Sequence, residues 1–561
     1  MNSAFDINME VFSNTRLKKE LKLLSFEEAS KDLNCFISKC GDYSLAKKNF
    51  PYDDIENPAQ SVIDTCKECI KSEPQKNDFI VIYGLGLGYI LDEVYTRYSS
   101  RIFVYEPDIN VIRFVMQNVD LTHILADPRV YISNDCEELC KKIGEQYLSH
   151  DKLEIVFLKN YGLIKPQELI KLTNTLFNTC KAKITDINTL RKASKIWVKN
   201  IIANIENNRF IKPLYNLDGT ITRGTALVLS AGPSLADNIE NIKKNRHKFI
   251  LFAIGKTLKT LEANGITPDF AVFADAQADI KEISELAPSF ISKINFIGDI
   301  KSDYQVSGAN WKDKFFYFAN NTEFITKIAT KYAIKQYPAI ATSTLNALLC
   351  ASQMGFKEIA LCGFDLAFKE ATAYCDGSTI SIEDDKVTIN GETSYEKALV
   401  KSVSGEMVST REDFAAFIKQ CENNLKLISD DVKLYNITDF GAYIKGLTYT
   451  TLDAIMPEIA AVNVNYLIER TTFDKLSLKN ALETELDAID EIKGQFSEGA
   501  INYTKIYSLK KSTLLSEYTR FEILELVENE FSTQQLEKFV DNVINSTEEV
   551  KELILNKLVN I

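Results

Sequence analysis

The chain has 561 residues, of which 45% are hydrophobic and 25% charged, with a formal net charge of −13. That length is too great for a single core and implies roughly two to four domains of ordinary soluble composition. The acidic balance argues against nucleic acid as a partner, and no apolar run approaches the roughly 18 residues that span a bilayer.

The opening MNSAFDINMEVF has neither the basic start nor the apolar stretch of a signal sequence, and the eleven scattered cysteines fit reduced thiols. A cytoplasmic location is the expectation. Residues 1 to about 75 read as helical and irregular. Within them Cys66-Lys-Glu-Cys69 is a lone CxxC with no second Cys/His pair nearby, so it reads as two half-buried helix cysteines rather than a metal or redox site.

Asp78-Phe-Ile-Val-Ile-Tyr83 predicts a strand that opens into Gly84-Leu-Gly-Leu-Gly88, and Ile102-Phe-Val-Tyr105 predicts a second strand ending at Glu106. This is the strand, glycine turn, helix, strand, acid order of a Rossmann-like half, in which the acid can accept hydrogen bonds from a ribose. The pattern also resembles the cofactor loop of S-adenosylmethionine-dependent methyltransferases. No later methyltransferase signature follows, which favours a structural role for the domain.

From Pro166 to about Ile211, apolar residues recur at helical spacing through Leu169, Leu172, Leu176, Ile184, Ile196, Trp197, Ile201 and Ile202, predicting connecting helices. Short strands then alternate with helices: Ala226–Leu229, Phe249–Ala253, Phe270–Ala274, Ile294–Ile297, Phe315–Phe318 and Ile359–Cys362. Such alternation predicts a parallel sheet covered on both faces, with ligands at the strand C-terminal ends. A hairpin is expected in Ile380–Ile389, and charged amphipathic helices beyond about Thr451. The expected division is 1–165, N-terminal helical plus Rossmann-like; 166–221, helical connector; 222–450, central α/β; and 451–561, C-terminal helical.

Two segments of the central region outline a nucleotide site. In Ala226-Leu-Val-Leu-Ser-Ala-Gly-Pro-Ser-Leu235 a strand stops at a turn where Gly232 permits close backbone approach, Pro233 suits a first helical turn and Ser234 can cap the helix. A helix N-terminus there would offer amides and a positive dipole end to a phosphate. The second segment runs from Thr342-Ser343 through Gly363-Phe-Asp365. Asp365, Asp275 and Asp376 are the carboxylates at expected strand ends; Asp365 serves either as a base of raised pKa or as a loop cap, and Asp275 also as a ribose or cation contact. Lys256 can face a phosphate or simply start a solvated helix.

Taken together, Trp197-Val-Lys-Asn200 to Asn204, the Ala-Gly-Pro-Ser-Leu turn, Asn264-Gly-Ile-Thr-Pro-Asp269, Ala274-Asp275, Gly363-Phe-Asp365-Leu-Ala and Gly405-Glu-Met-Val-Ser-Thr410 resemble the motility accessory factor family. Its members are bacterial flagellin glycosyltransferases that attach nonulosonic acids, such as pseudaminic or legionaminic acid, to Ser or Thr. The resemblance covers nearly the whole chain. It implies a Rossmann-like N-terminal domain, a sialyltransferase-like α/β domain and a helical C-terminus, with flagellin and a CMP-nonulosonic acid as partners and no cofactor beyond the activated donor.

Thr342-Ser343, Ala347-Leu-Leu-Cys350, Gly355 to Asp365 and Tyr374 are similar, more distantly, to bacterial sialyltransferases. That likeness implies CMP contacts at Gly232, Pro233, Ser234, Leu235, Thr342 and Ser343, and a phosphate contact at Tyr374. Two features depart from the pattern. The only histidines are His123, His150 and His247, none after Asp365, and Ala367 stands where a second tyrosine would be. The base is therefore sought among Asp365 and Asp275. Related central domains also occur in an MptE-like archaeal pterin pyrophosphokinase, which would need a nucleoside triphosphate and Mg²⁺, although no GxxxxGK[ST] is present. A non-enzymatic flagellin chaperone or export factor is a third reading.

Overall fold

The computed structural model describes residues 3–147, 151–207, 210–221, 223–277, 280–331, 333–340, 342–370, 372–383, 385–391, 393–455, 473–497, 509, 512–519 and 533–558. Its contacts divide the chain into two compact units, Met1–Leu190 and Arg191–Ile561.

In the first unit four parallel strands, β1 (Phe79–Tyr83), β2 (Arg101–Tyr105), β3 (Val130–Ser133) and β4 (Leu153–Phe157), lie in the order β3-β2-β1-β4. The β1 run Phe-Ile-Val-Ile-Tyr is buried throughout, as a strand covered on both faces requires. Ahead of it, Leu33–Ile37, Tyr43–Lys47 and Phe50–Pro51 form a small antiparallel sheet where the sequence read as helical and irregular. Gly41 at φ +99° and Lys48 at φ +55° make the reversals, and the two longer strands break their apolar residues with polar ones, leaving no continuous apolar run to read.

The glycine turn has the expected place but not the expected vacancy. The Glu106 carboxylate accepts from the amides of Leu85 (2.9 Å) and Asp108 (2.8 Å) and from the Tyr161 hydroxyl (2.5 Å), and the residue is wholly buried. Both oxygens are committed inside the protein, so Glu106 does not present itself to a ribose. A Cβ on Gly84 would stand 2.6 Å from the Tyr161 ring, and one on Gly86 would collide with the Asp53 carboxylate. Asp53 in turn accepts from Leu45 and Leu87 amides at 3.1 and 3.2 Å. The Leu85 and Leu87 amides of the turn are thus taken by the protein's own acids. Cys66 and Cys69 sit on helix Pro58–Cys69, and burial pushes the Cys66 thiol up to about 12.

One helix, Pro166–Asn207, replaces the several helices expected of the connector. No Gly or further Pro interrupts those 42 residues, so nothing in the sequence stops it. It gives Leu172 and Leu176 to the core of the first unit and Val198, Ile201 and Ile202 to that of the second.

The second unit is built on an eleven-stranded sheet. Its centre is β5 (Thr225–Leu229), β6 (Phe249–Ile254), β7 (Phe270–Phe273), β8 (Asn295–Asp299) and β9 (Asp313–Ala319), followed by β10 (Glu358–Cys362) and β11 (Lys433–Ile437). These run parallel in the order β11-β10-β5-β6-β7-β8-β9. Helix α1 (Pro233–Lys244) follows β5, α2 (Ser343–Met354) precedes β10, and α3 (Glu412–Leu425) precedes β11. The chain winds outward from β5 to β9, then returns to place β10 on the other side of β5. That reversal is a topological switch point, where open α/β sheets leave a crevice at the strand C-terminal ends.

Between β10 and α3 lies a four-stranded antiparallel sheet, Ile380–Glu383, Lys386–Ile389, Thr393–Lys401 and Met407–Arg411, whose first two strands are the expected hairpin. Helices Lys475–Ser497 and Thr533–Leu558 bury Leu482, Ile489, Val543 and Val550 in the same apolar cluster as Leu227 and Leu251 of the sheet. Among the described residues no helix is long and apolar enough to cross a membrane.

Burial raises the Asp53 and Glu106 carboxyls to about 7, and the charge of Glu106 pushes Asp53 in the same direction. Since their pKa in the folded state lies above the unfolded value of about 4, the native protein retains protons that the unfolded chain has released. Their contribution is complete below that unfolded value and is lost as pH rises through about 7. Glu106→Gln keeps an acceptor without the charge. In urea unfolding, the variant's stability relative to wild type should therefore rise by about 1 to 3 kcal/mol between pH 5 and pH 8; a difference independent of pH would refute the buried-carboxyl reading.

Candidate functional site

The crevice at the switch point is a cleft of about 450 Å³. Its walls come from the β5 turn (Ser230, Gly232), the ends of β6 and β7 (Lys256, Asp275), the start of α2 (Thr342, Ser343), the β10 turn (Asp365) and, from beyond β10, Tyr374 and Arg411. The sequence candidates Gly232, Asp275, Thr342, Ser343, Asp365 and Tyr374 thus converge on one cleft. Pro233, Ser234 and Leu235 do not line it; they are buried behind the turn. Asp376 also lies elsewhere, its exposed carboxylate accepting from the Ser378 amide and hydroxyl in a local turn.

The two turns are locked to each other. Register places Leu229 beside Cys362, so the chain leaves β5 and β10 side by side. The Gly232 amide donates to the Gly363 carbonyl at 2.7 Å, and the Gly363 amide donates to the Ser234 hydroxyl at 3.0 Å. Asp365 Oδ2 accepts from the Ser234 amide at 2.9 Å. Gly232 is the residue before the helix and has no side chain with which to cap it, so Asp365 supplies the anionic cap from the neighbouring strand.

This revises the expected phosphate seat on α1. Pro233 has no amide hydrogen, the Ser234 amide is taken by Asp365, and the Leu235 amide bonds the Gly232 carbonyl at 3.1 Å. Ser234 does not cap its own helix; its hydroxyl is used by Gly363. The anion position at α1 is already filled by a carboxylate of the protein.

Both glycines are required by space. A Cβ on Gly232 would strike Asp365 Oδ2 and approach the Gly363 carbonyl to 2.5 Å, and one on Gly363, at φ +79°, would collide with the Ser230 carbonyl. Leu366 is held at φ +46°, its carbonyl accepting from the Thr410 hydroxyl at 2.7 Å. Strain of this kind gathers where surrounding structure imposes it, often beside a ligand. Asp365 is 1% exposed, and burial raises its carboxyl while the Ser234 contacts lower it. The Thr438 hydroxyl is close enough to lower it as well, yet Oδ1 receives no well-formed hydrogen bond.

α2 presents the opposite situation. Its cap is Thr342, whose hydroxyl accepts from the Leu345 amide at 3.2 Å. Among the described residues the amides of Ser343 and Thr344 find no acceptor. The Ser343 hydroxyl is half-buried on the cleft wall, and Thr344 is fixed behind it by a 2.9 Å hydrogen bond between its hydroxyl and that of Ser230. This helix start can take an anion.

Positive charge faces it across the cleft. Lys256, exposed just after β6, holds its Nζ 4.8 Å from the centre of the Tyr374 ring. The Tyr374 hydroxyl accepts from Arg411 Nη1 at 3.0 Å. Sequence reasoning missed Arg411, although it directly follows the Gly405–Thr410 motif; its only signal was that adjacency. Asp275 is the exposed carboxylate of the cleft, with Oδ1 accepting from the Gln277 amide at 2.8 Å. Among the described residues no cluster of His, Cys, Asp or Glu is arranged to hold a metal.

Comparison with known proteins agrees with this architecture. Residues 199–371 match the family model described as 6-hydroxymethylpterin diphosphokinase MptE-like. Over 163 residues the chain is 26% identical to a protein of Treponema pallidum (strain Nichols) described as uncharacterized, a span of 28% of this chain and 77% of that one. Among solved structures, the MAf glycosyltransferase from Magnetospirillum magneticum AMB-1 superposes with a TM-score of 0.63 at 14% identity, over 99% of this chain and 94% of its own. The described residues therefore have the fold of a MAf glycosyltransferase.

If Asp365 anchors the paired turns, Asp365→Ala should cost about 1 to 2 kcal/mol in urea unfolding, the usual worth of a helix cap. Gly232→Ala, which forces the turns apart, should cost at least about 2 kcal/mol. Wild-type stability in both variants would remove the anchor.

Proposed function

We propose that the cleft binds CMP-activated nonulosonic acid, with pseudaminic acid as the sugar, and transfers it to Ser or Thr of flagellin. The observation that carries this reading is the open N-terminus of α2, with its Ser343 hydroxyl, in a cleft that also holds Lys256 and Arg411. Such a site suits a nucleotide monophosphate ester that leaves as an anion. The fold match to a glycosyltransferase supports the class of reaction.

In the proposed step the bond between the sugar's anomeric carbon and the phosphate oxygen breaks, and its electron pair departs with CMP. The amides of Ser343 and Thr344, the Ser343 hydroxyl and Lys256 stabilise that developing charge, an effect that grows toward the transition state. The acceptor hydroxyl attacks the oxocarbenium-like carbon and loses its proton to a base. Asp275 takes this role, being the exposed carboxylate at the end of β7, while the buried Asp365 holds the nucleotide turns in place. Tyr374 orients both cations. Because protein groups neutralise the leaving phosphate, the reaction should run without a divalent metal.

The family model over residues 199–371 keeps a pterin pyrophosphokinase as the second reading, and that chemistry would consume a nucleoside triphosphate with Mg²⁺. The two separate in one experiment. Purified protein incubated with flagellin and CMP-pseudaminic acid in excess chelator should add the mass of the sugar to flagellin. Turnover only with Mg²⁺ and a nucleoside triphosphate would reverse the assignment, and flagellin binding without any transfer would favour a chaperone. Ser343→Ala should weaken CMP binding about tenfold in calorimetry, the loss of one hydrogen bond to a charged group. Asp275→Asn should lower kcat by about 10²- to 10⁴-fold with CMP affinity retained.

A further inference from the structure

The proposed donor carries two anions, the phosphate and the carboxylate on the sugar's anomeric carbon, and the cleft offers two different cations. Lys256 is exposed on a flexible stem. Arg411 is fixed: about nine-tenths buried, with Cζ 4.0 Å from the centres of both the Tyr395 and Phe414 rings. Its Nε lies 2.7 Å from the Asp413 carboxylate, an ion pair without hydrogen-bond geometry, and its Nη1 donates to Tyr374 at 3.0 Å, while Nη2 has no partner among the described residues. A guanidinium packed against two rings, paired with one carboxylate and hydrogen-bonded at Nη1 has little rotamer entropy left to lose on binding.

We propose that Arg411 is the specificity determinant for the sugar's carboxylate, taking it on the guanidinium edge that the cleft leaves open, while α2 and Lys256 hold the phosphate. The inference rests on the reading of the cleft as a CMP-nonulosonate site. A planar fork matches a carboxylate, whereas the helix amides and a point charge suit the tetrahedral phosphate. Arg411 reaches the cleft from the antiparallel sheet and not from the parallel core, as the last residue of strand Met407–Arg411. The nucleotide half and the sugar half of the site therefore rest on separate layers of the fold.

The test is calorimetry on the full chain with two probes, CMP and CMP-pseudaminic acid, for wild type, Arg411→Lys, Arg411→Gln and Tyr374→Phe. Arg411→Lys keeps the charge and removes the fork. It should weaken CMP-pseudaminic acid at least tenfold while CMP stays within twofold, and Arg411→Gln should do so more strongly. Tyr374→Phe, which frees Nη1, should cost the donor a few-fold and CMP nothing. Equal loss of both probes in variants that melt as wild type would make Arg411 a phosphate ligand, and unchanged affinities would leave it structural; either overturns the proposal. A wild-type protein that binds no CMP fails one step earlier, at the function on which this inference rests.

Discussion

The bond from the Ser234 amide to the Asp365 carboxylate is the constraint on which the cleft depends. A glycine was needed before Pro233 so that two turns could touch, and a glycine cannot cap a helix with its own side chain. A carboxylate from the adjoining strand supplies that cap, buried where its charge is answered by the Ser234 amide and a helix dipole. With α1 so satisfied, α2 is left as the helix start that faces the cleft with amides to spare. One turn is spent on architecture and the other is kept for a ligand.

The glycine turn of the first unit follows the same logic. Tyr161 and Asp53 pack directly against Gly84 and Gly86, and the carboxylates of Glu106 and Asp53 take the Leu85 and Leu87 amides. Acids pointed at the turn's amides do internally what a ribose and a phosphate would do from outside. A glycine pattern therefore reports that something approaches the backbone closely, whether ligand or protein.

Much of the fold was legible because its signals are local. Apolar runs such as Phe249–Ile254 and Phe270–Phe273 are buried strands with turn residues at their ends, and their alternation with helices announces a parallel sheet. The small sheet before residue 75 was not legible, since Leu33–Ile37 and Tyr43–Lys47 break their apolar residues with polar ones and form no continuous apolar run. Of the site, Ser343 and Thr342 came from the likeness to sialyltransferases, and the cap read locally at Ser234 is supplied instead by Asp365. Asp365 was read at a strand end as a base or a loop cap, and only the structure pairs it with an amide 131 residues away. Arg411 lies farther along the chain, in an antiparallel layer, and its guanidinium gains meaning from three aromatic rings that no spacing rule connects.

That sequence separation also governs how the site can come into being. β5 sits inside the sheet between β6 and β10, and β10 becomes available only after the strands from β6 to β9 have been made. A chain emerging from the ribosome thus carries the Gly232–Ser234 turn for 131 residues before its anchor arrives. Until then the α1 amide stays uncapped and β5 has one free edge, the condition under which unpaired strands seek other partners. Synthesis order makes the cleft a late product of folding, and a chain truncated before Asp365 would hold the motif without the site.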